Sequence, residues 1–354
     1  MKRLILADVK SYSNKGRSTG HYFSLAENYI ELFSDVIDVK IGGGPVYLSK
    51  FKKNEVFLLP YDCKSSEPKW RQIWHTLMNC RYLYKHATNE DVIVMQHSAA
   101  ATFMIGIMLF ACKKNNIFVI AYDKNSINSL LKRIVYSFSS HHIKGVMTSN
   151  EDVGKSFCKP YCMIPDYIFA GKISDIPNVS YSNKKYDFVM IGTIWPDKGV
   201  LEAAQHLANT PYKVLIAGGV AYDWLETELK QVCDNSDNIE LHLGYVSDND
   251  YHYYLDNAKY SLLNYQGSYA ERSSGVVLDA LFRGVPIVGH HSHATKLVED
   301  MNLGLIYDDI SEFMPKEVID EDVYSQYRRN VIDFLRYNKV YKQKVIDFIG
   351  LKQV

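Results

Sequence analysis

The sequence predicts an α/β protein built as two doubly wound, Rossmann-like halves. Three observations carry this. At 354 residues the chain exceeds what one hydrophobic core ordinarily supports. Short apolar runs alternate with helix-length amphipathic segments, the pattern of βαβ units on a parallel sheet. The alternation breaks once, over residues 164–185, where Pro165, Gly171, Pro177 and the polar run 180–185 show little periodicity, and it then restarts.

In the first half, residues 4–7 read as a strand, followed by a polar loop and a helix over about 21–33. Further strands are expected at 36–41, ending on Gly42-Gly43-Gly44, and at 91–96, 117–122 and 145–149. Helices are expected at 99–112 and near 126–137. The second half predicts strands at 187–191, 213–217, 239–243, 260–263 and 286–288, with helices at 200–208, 223–233 and 274–282. One or two amphipathic helices close the chain within 321–349. The expected division is a first domain over 1–170, a linker over 171–185, a second domain over 186–320 and terminal helices over 321–354.

Composition narrows the class. Hydrophobic residues at 47% and charged residues at 23% exclude a disordered, collagenous or coiled-coil chain. Basic and acidic side chains balance at 40 each, which argues against a nucleic-acid partner, but their placement differs. Residues 1–175 carry 23 basic and 15 acidic side chains, and residues 176–354 carry 17 and 25, so the first half suits an anionic partner. The six cysteines, at 63, 80, 112, 158, 162 and 233, follow no zinc or disulfide spacing, as expected of a cytoplasmic protein. The N-terminal apolar run is too short for a signal peptide, and the 14-residue apolar stretch 99–112 falls short of the ~20 residues of a membrane span.

The familiar nucleotide motifs are missing: no Gly-x-Gly-x-x-Gly opens a helix after a strand, and no P-loop occurs. Two segments of the second half carry chemistry instead. The first is a strand, a loop and a helix start, Ile191-Gly192-Thr193-Ile194-Trp195-Pro196-Asp197-Lys198-Gly199-Val200. A lysine there can aim its ammonium at a phosphate near the strand ends, or be an ordinary solvated loop lysine. The second runs from the strand 260–263 through a polar loop to a helix, then Gly284-Val285-Pro286. Ser273 or Ser274 is expected to cap that helix, leaving N–H groups around Gly275 for an anion. Glu271 in the loop and Asp279, expected two turns into the helix, can face one ligand; Glu271 can equally answer the helix dipole beside Arg272.

In this order the segments resemble the donor half of GT-B glycosyltransferases, and most closely glycosyltransferase family 4, the retaining enzymes. The family pattern is a strand with its glycine, a Lys-Gly before a helix, an acidic pair eight apart and a Gly-x-Pro. It is matched here by Gly192, Lys198-Gly199, Glu271 with Asp279, and Gly284-Val285-Pro286. The resemblance covers most of 186–310 and is weaker over 1–175. It implies a GT-B fold of two Rossmann-like domains facing each other across a cleft, the last helix returning to the first domain. The implied activity is transfer of a hexosyl unit from a nucleotide diphosphate sugar to a saccharide acceptor with retention, as in surface polysaccharide or glycan biosynthesis.

By that resemblance Lys198, Gly192, Thr193, Arg272, Ser273, Ser274 and Gly275 hold the donor diphosphate, Asp279 the ribose and Glu271 the sugar. Gly20, in the loop 16–20, lets backbone approach the phosphates. His97, with Asp123 one strand further on, stands where the family places its acceptor-side catalyst, although a lone histidine is more often structural. Two departures stand out: Thr193 replaces a frequent arginine, and Asp279 is one methylene shorter than the usual glutamate. No metal cofactor is implied, and His290, His291 and His293 lack an acidic or cysteine partner at ligand spacing. A sugar-nucleotide epimerase of the same architecture and a non-catalytic saccharide-binding subunit remain alternatives.

A lipid-linked acceptor at the inner face of the cell membrane would fit the basic first half, with peripheral contact to anionic lipid. The stretch 130–138 has the basic, aromatic pattern of a membrane-surface helix. It also has that of a helix packed inward with Lys132 and Arg133 solvated, the commoner arrangement.

Overall fold

The computed structural model describes residues 2–14, 17–18, 22–96, 101–165, 168–271 and 274–351. The chain divides into two compact units, one formed by 1–170 with 339–354 and the other by 171–338.

The first unit is built on β1 (Arg3–Ala7), β2 (Tyr12–Asn14), β3 (Arg17–Ser18), α1 (Tyr22–Phe33), β4 (Asp38–Gly43), β5 (Val56–Leu58), β6 (Cys63–Lys64), α2 (Lys69–His86), β7 (Val92–Gln96), α3 (Ala101–Phe110), β8 (Asn116–Ile120), α4 (Leu130–Ser139), β9 (Ile143–Thr148), α5 (Glu151–Ser156) and β10 (Tyr161–Met163). Seven strands form a parallel sheet in the order β10-β9-β8-β7-β1-β4-β5, with β3-β2-β6 as a small separate sheet. Residues 4–7 of β1 have no exposed surface, because a central parallel strand is covered on both faces. That is why such strands read as unbroken apolar runs.

Several boundaries move by a few residues from their sequence expectations, and two of the shifts have a visible cause. The strand expected at 36–41 begins at Asp38, since the N–H groups of Val36 and Ile37 both donate to the Phe33 carbonyl and close α1. The helix expected from 126 begins at Leu130. The stretch before it is held as a turn, with the Asn125 N–H donating to the Asp123 carboxylate at 2.8 Å. Helix α2 lies in a stretch that shows no single apolar period, for it carries apolar residues on both sides. Cys80, Leu83 and Tyr84 face the core, whereas Trp70, Ile73 and Trp74 are exposed.

The second unit contains β11 (Tyr186–Ile191), α6 (Val200–Leu207), β12 (Val214–Gly218), α7 (Asp223–Asp234), β13 (Ile239–Leu243), α8 (Asp248–Asp256), β14 (Ala258–Leu263), α9 (Gly275–Phe282), β15 (Ile287–His290), α10 (Lys296–Asp300), β16 (Gly304–Tyr307) and α11 (Glu321–Asn338). Its six parallel strands run β13-β12-β11-β14-β15-β16. Counted from β11 this is the 3-2-1-4-5-6 order of the Rossmann sheet, in which the crevice lies where the order reverses, between β11 and β14. In the first unit the reversal falls between β1 and β7. Residues 171–185 pack onto the second unit: the Lys184 ammonium donates to the Asp256 carbonyl, and Arg328 of α11 donates to the Pro177 carbonyl at 2.8 Å. The chain then re-enters the first unit with α12 (Val340–Phe348), whose Phe348 packs on Phe118 of β8.

Candidate functional site

The carboxyl end of β11 turns at Gly192, whose φ of +108° favours glycine. A β-carbon added there would lie 3.8 Å from the Lys198 ammonium and 3.6 Å from Val276 in the first turn of α9. Gly192, the lysine and the start of α9 thus converge at the reversal point of the sheet.

The loop carrying Lys198 is fastened from several sides. Pro196–Lys198 forms a 3-10 turn that Gly199 ends with φ +60°. The Gly199 carbonyl accepts from the side-chain amide of Asn264 at 3.0 Å, and Tyr307 donates to the other end of that amide at 3.2 Å. The Gln266 N–H donates to the Asp197 carbonyl at 2.8 Å, and Ser268 donates to the Asp197 carboxylate through both N–H and hydroxyl. Asn264 is buried and serves as the bracket between the ends of β11 and β14.

Lys198 itself is only 7% exposed. Its ammonium stands 5.1 Å from the ring centroid of Tyr269 and 5.9 Å from that of Tyr265. Among the described residues no carboxylate pairs with it. Burial lowers its pKa from the usual 10.5 to about 8. A desolvated cation faced by aromatic rings, beside a helix N-terminus and a bare glycine, can receive an anion.

The side-chain cap expected of Ser274 is not formed, and Ser273 lies outside the described residues. Ser274 stands at the N-cap position, but its hydroxyl shares a 2.8 Å hydrogen bond with the Tyr265 hydroxyl instead of receiving a helix N–H. Because α9 starts at Gly275, Asp279 lies just over one turn into the helix rather than two. It is half-buried, and the Tyr251 hydroxyl of α8 donates to it at 3.1 Å. Desolvation raises its pKa to about 7, and the tyrosine offsets part of that rise. Glu271 is exposed on the preceding turn, and Thr193 is exposed at the end of β11. Arg272 and Ser273, together with His97 and Gly20, lie outside the described residues.

In the first unit, Asp123 is half-buried and its carboxylate accepts from the backbone and side chain of Asn125. The reversal point of that sheet holds a group that sequence reasoning passed over. Asp8, at the carboxyl end of β1, is 1% exposed and accepts from the Tyr47 hydroxyl at 2.8 Å and the Ser11 N–H at 3.1 Å. Together with Asp123 it raises the pKa of Tyr22, after burial as the main cause. Gln96, ending β7 on the other side of the reversal, is fully buried, and neither atom of its amide has a partner among the described residues. An aspartate directly after an apolar strand was the available signal.

No family model matches the chain, and no curated protein matches it in sequence. Solved structures do match it in fold. The trehalose-6-phosphate synthase OtsA superposes with a TM-score of 0.71 at 9% identity, covering 99% of both chains. Anabaena Alr3699/HepE, solved in complex with UDP, gives 0.66 at 12% identity over 99% of this chain and 100% of that one. AviGT4, a glycosyltransferase involved in avilamycin A biosynthesis, gives 0.59 at 13% identity over 98% of each. With two Rossmann-like units and these neighbours along nearly its whole length, the chain has the GT-B glycosyltransferase fold.

Proposed function

We propose that the protein is a retaining glycosyltransferase that moves a sugar from a nucleotide diphosphate sugar to a saccharide acceptor in the making of a surface polysaccharide or glycan. The observation that carries this is Lys198, a buried ammonium beside the N-terminus of α9 and without a carboxylate partner among the described residues. A fold gains nothing from such a charge, whereas a diphosphate leaving group gains a fixed cation and helix N–H groups where its charge develops. The fold neighbours support the donor class, since HepE was solved with UDP and the trehalose-6-phosphate enzyme from E. coli with UDP-2-fluoro glucose.

In this reading Asp279 accepts hydrogen bonds from the ribose and Glu271 from sugar hydroxyls. The acceptor oxygen bonds to the anomeric carbon as the bond to the diphosphate oxygen breaks on the same face. The acceptor proton passes to the departing diphosphate, which needs no protein nucleophile. His97, Asp123 and the newly found Asp8 are the acceptor-side candidates. No metal enters the scheme, so a chelator should leave turnover unchanged. The acceptor we favour is lipid-linked, reached by a cytoplasmic protein seated peripherally on the inner face of the membrane.

The test is thermal unfolding against UDP, GDP, ADP, CDP and CMP. One diphosphate should raise the melting temperature, by about 2.7 kcal/mol of stability at a hundredfold excess over its dissociation constant. The shift should vanish in Lys198→Ala and weaken in Asp279→Ala. No shift with any of the five overturns the donor site. Conversion of the sugar nucleotide to an isomer without acceptor would identify an epimerase instead, and binding without turnover a non-catalytic subunit.

A further inference from the structure

The connections β5 to β7, β7 to β8 and β8 to β9 all step the same way along the first unit's sheet. Right-handed crossovers therefore place α2, α3 and α4 on one face, and α3 packs against both of the others. The outward surface of these three helices carries many large apolar side chains. On α4, Leu130 and Leu131 are 78% and 73% exposed and Phe138 is 59% exposed, with Ile134 between them on the same stripe. The inward-packed arrangement expected for this helix is thus not adopted by its most apolar side. Only Ser139 is fully buried, and Val135 and Tyr136 make the inner contact. On α2, Trp70 is 65% exposed, with Ile73 and Trp74 beside it at helical spacing. Helix α3 contains no charged residue, and its Leu109 is exposed. Soluble proteins seldom leave so many large apolar side chains together in water.

The rim of this face is cationic. Between residues 92 and 150 there are six lysines and arginines and a single acid, Asp123. Lys113 and Lys114 follow α3, and Lys69 and Arg71 open α2, with the Arg71 guanidinium 5.4 Å from the Trp70 ring centroid. Lys132 is anchored to the Asn125 carbonyl and the Asn128 side chain at 2.7 and 2.9 Å, and Arg133 to the Ile127 carbonyl at 3.1 Å.

We propose that the outer face of α2, α3 and α4 is a docking surface for an anionic phospholipid bilayer. Leu130, Leu131, Ile134 and Phe138 enter the boundary between acyl chains and headgroups, and Trp70 and Trp74 lie at headgroup depth. The surrounding lysines and arginines pair with lipid phosphates. A second copy of the chain is the poorer occupant, because pairing this face with itself brings two cationic rims together. Helices α2 and α4 both start at the carboxyl edge of the sheet, so docking carries the edge that holds Asp8 toward the headgroups. That consequence rests on the lipid-linked acceptor reading; the binding itself does not.

The test is co-sedimentation of the full chain, without nucleotide, with vesicles of phosphatidylglycerol and phosphatidylcholine against phosphatidylcholine alone. The chain should bind the anionic vesicles and release as salt rises. Trp70→Ser with Trp74→Ser, and separately Leu131→Asp, should each lower partitioning about tenfold or more, with the melting temperature as the control for folding. Should a variant not fold, Lys132→Gln with Arg133→Gln provides a milder second test of the same face. Failure of the wild-type chain to bind anionic vesicles overturns the proposal, as does equal binding by folded variants. A lipid-free dimer that the same substitutions dissolve would also overturn it, assigning the face to a second copy. Because diphosphate binding is measured separately, loss of the donor reading and loss of this one give different results.

Discussion

Replacing Lys198 with methionine will weaken diphosphate binding and make the protein more stable. The two effects have one cause. The ammonium is buried away from any carboxylate among the described residues, and its pKa stands at about 8 against 10.5. The folded pKa lies below the unfolded one, so the unfolded chain holds this proton more tightly. Stability therefore rises with pH from about 8 to about 10.5, and below pH 8 the native state carries the full penalty. The difference corresponds to about 3 kcal/mol, an upper value for what methionine recovers at pH 7 while keeping the buried stem. Losing the charge-assisted bond to phosphate should meanwhile weaken binding about a hundredfold. Chemical denaturation and titration calorimetry with the diphosphate identified by the panel, or with inorganic pyrophosphate, read the two effects independently. A lysine retained for the fold predicts the reverse: a less stable variant that binds as before.

Such a conflict between stability and chemistry is part of why the convergence of Gly192, Lys198 and the start of α9 could be anticipated from residues alone. Gly192 and the pair Lys198-Gly199 break strand and helix patterns at fixed places, and the structure gives each a backbone reason: positive φ at both glycines and a 3-10 turn carrying the lysine. The alternation of strands and helices was legible for the reason that makes β1 wholly buried, since parallel strands covered on both faces are continuous apolar runs. What escaped depends on side-chain partners that no local pattern names. Ser274 has the residue type and position of a cap, but its hydroxyl is taken by Tyr265. Asn264 bridges Gly199 and Tyr307, 65 and 43 residues away. Asp8 looks like any polar residue after a strand until Tyr47 closes on it. Periodicity located α4 but could not say which side of it faces water, because an apolar stripe has the same period turned inward or outward.

Donor affinity should follow a bell-shaped pH profile with its maximum between about 7 and 8, with Asp279 setting one limb and Lys198 the other. Ribose hydroxyls donate to a carboxylate, so binding needs Asp279 ionised. Its free-protein pKa, raised to about 7 by desolvation, makes affinity climb as pH rises toward 7. Binding also needs Lys198 charged, so affinity falls as pH rises through about 8. Asp279→Asn should flatten the acid limb and leave the basic one, and Lys198→Met the opposite. The stability signs differ as well. A carboxyl whose folded pKa exceeds its unfolded value of 3.8 gives stability that is complete below that value and lost as pH rises through about 7. Above pH 7 the ionised Asp279 is therefore a burden, and Asp279→Asn should stabilise the protein there. The full shift would be about 4 kcal/mol, and the partial exposure of the residue reduces this to about 2 kcal/mol. An amide still accepts from Tyr251, so the 3.1 Å hydrogen bond is no obstacle to that gain. Calorimetric titrations across the range, with melts of both variants at each pH, decide the matter. A flat affinity profile would remove both side chains from the donor site.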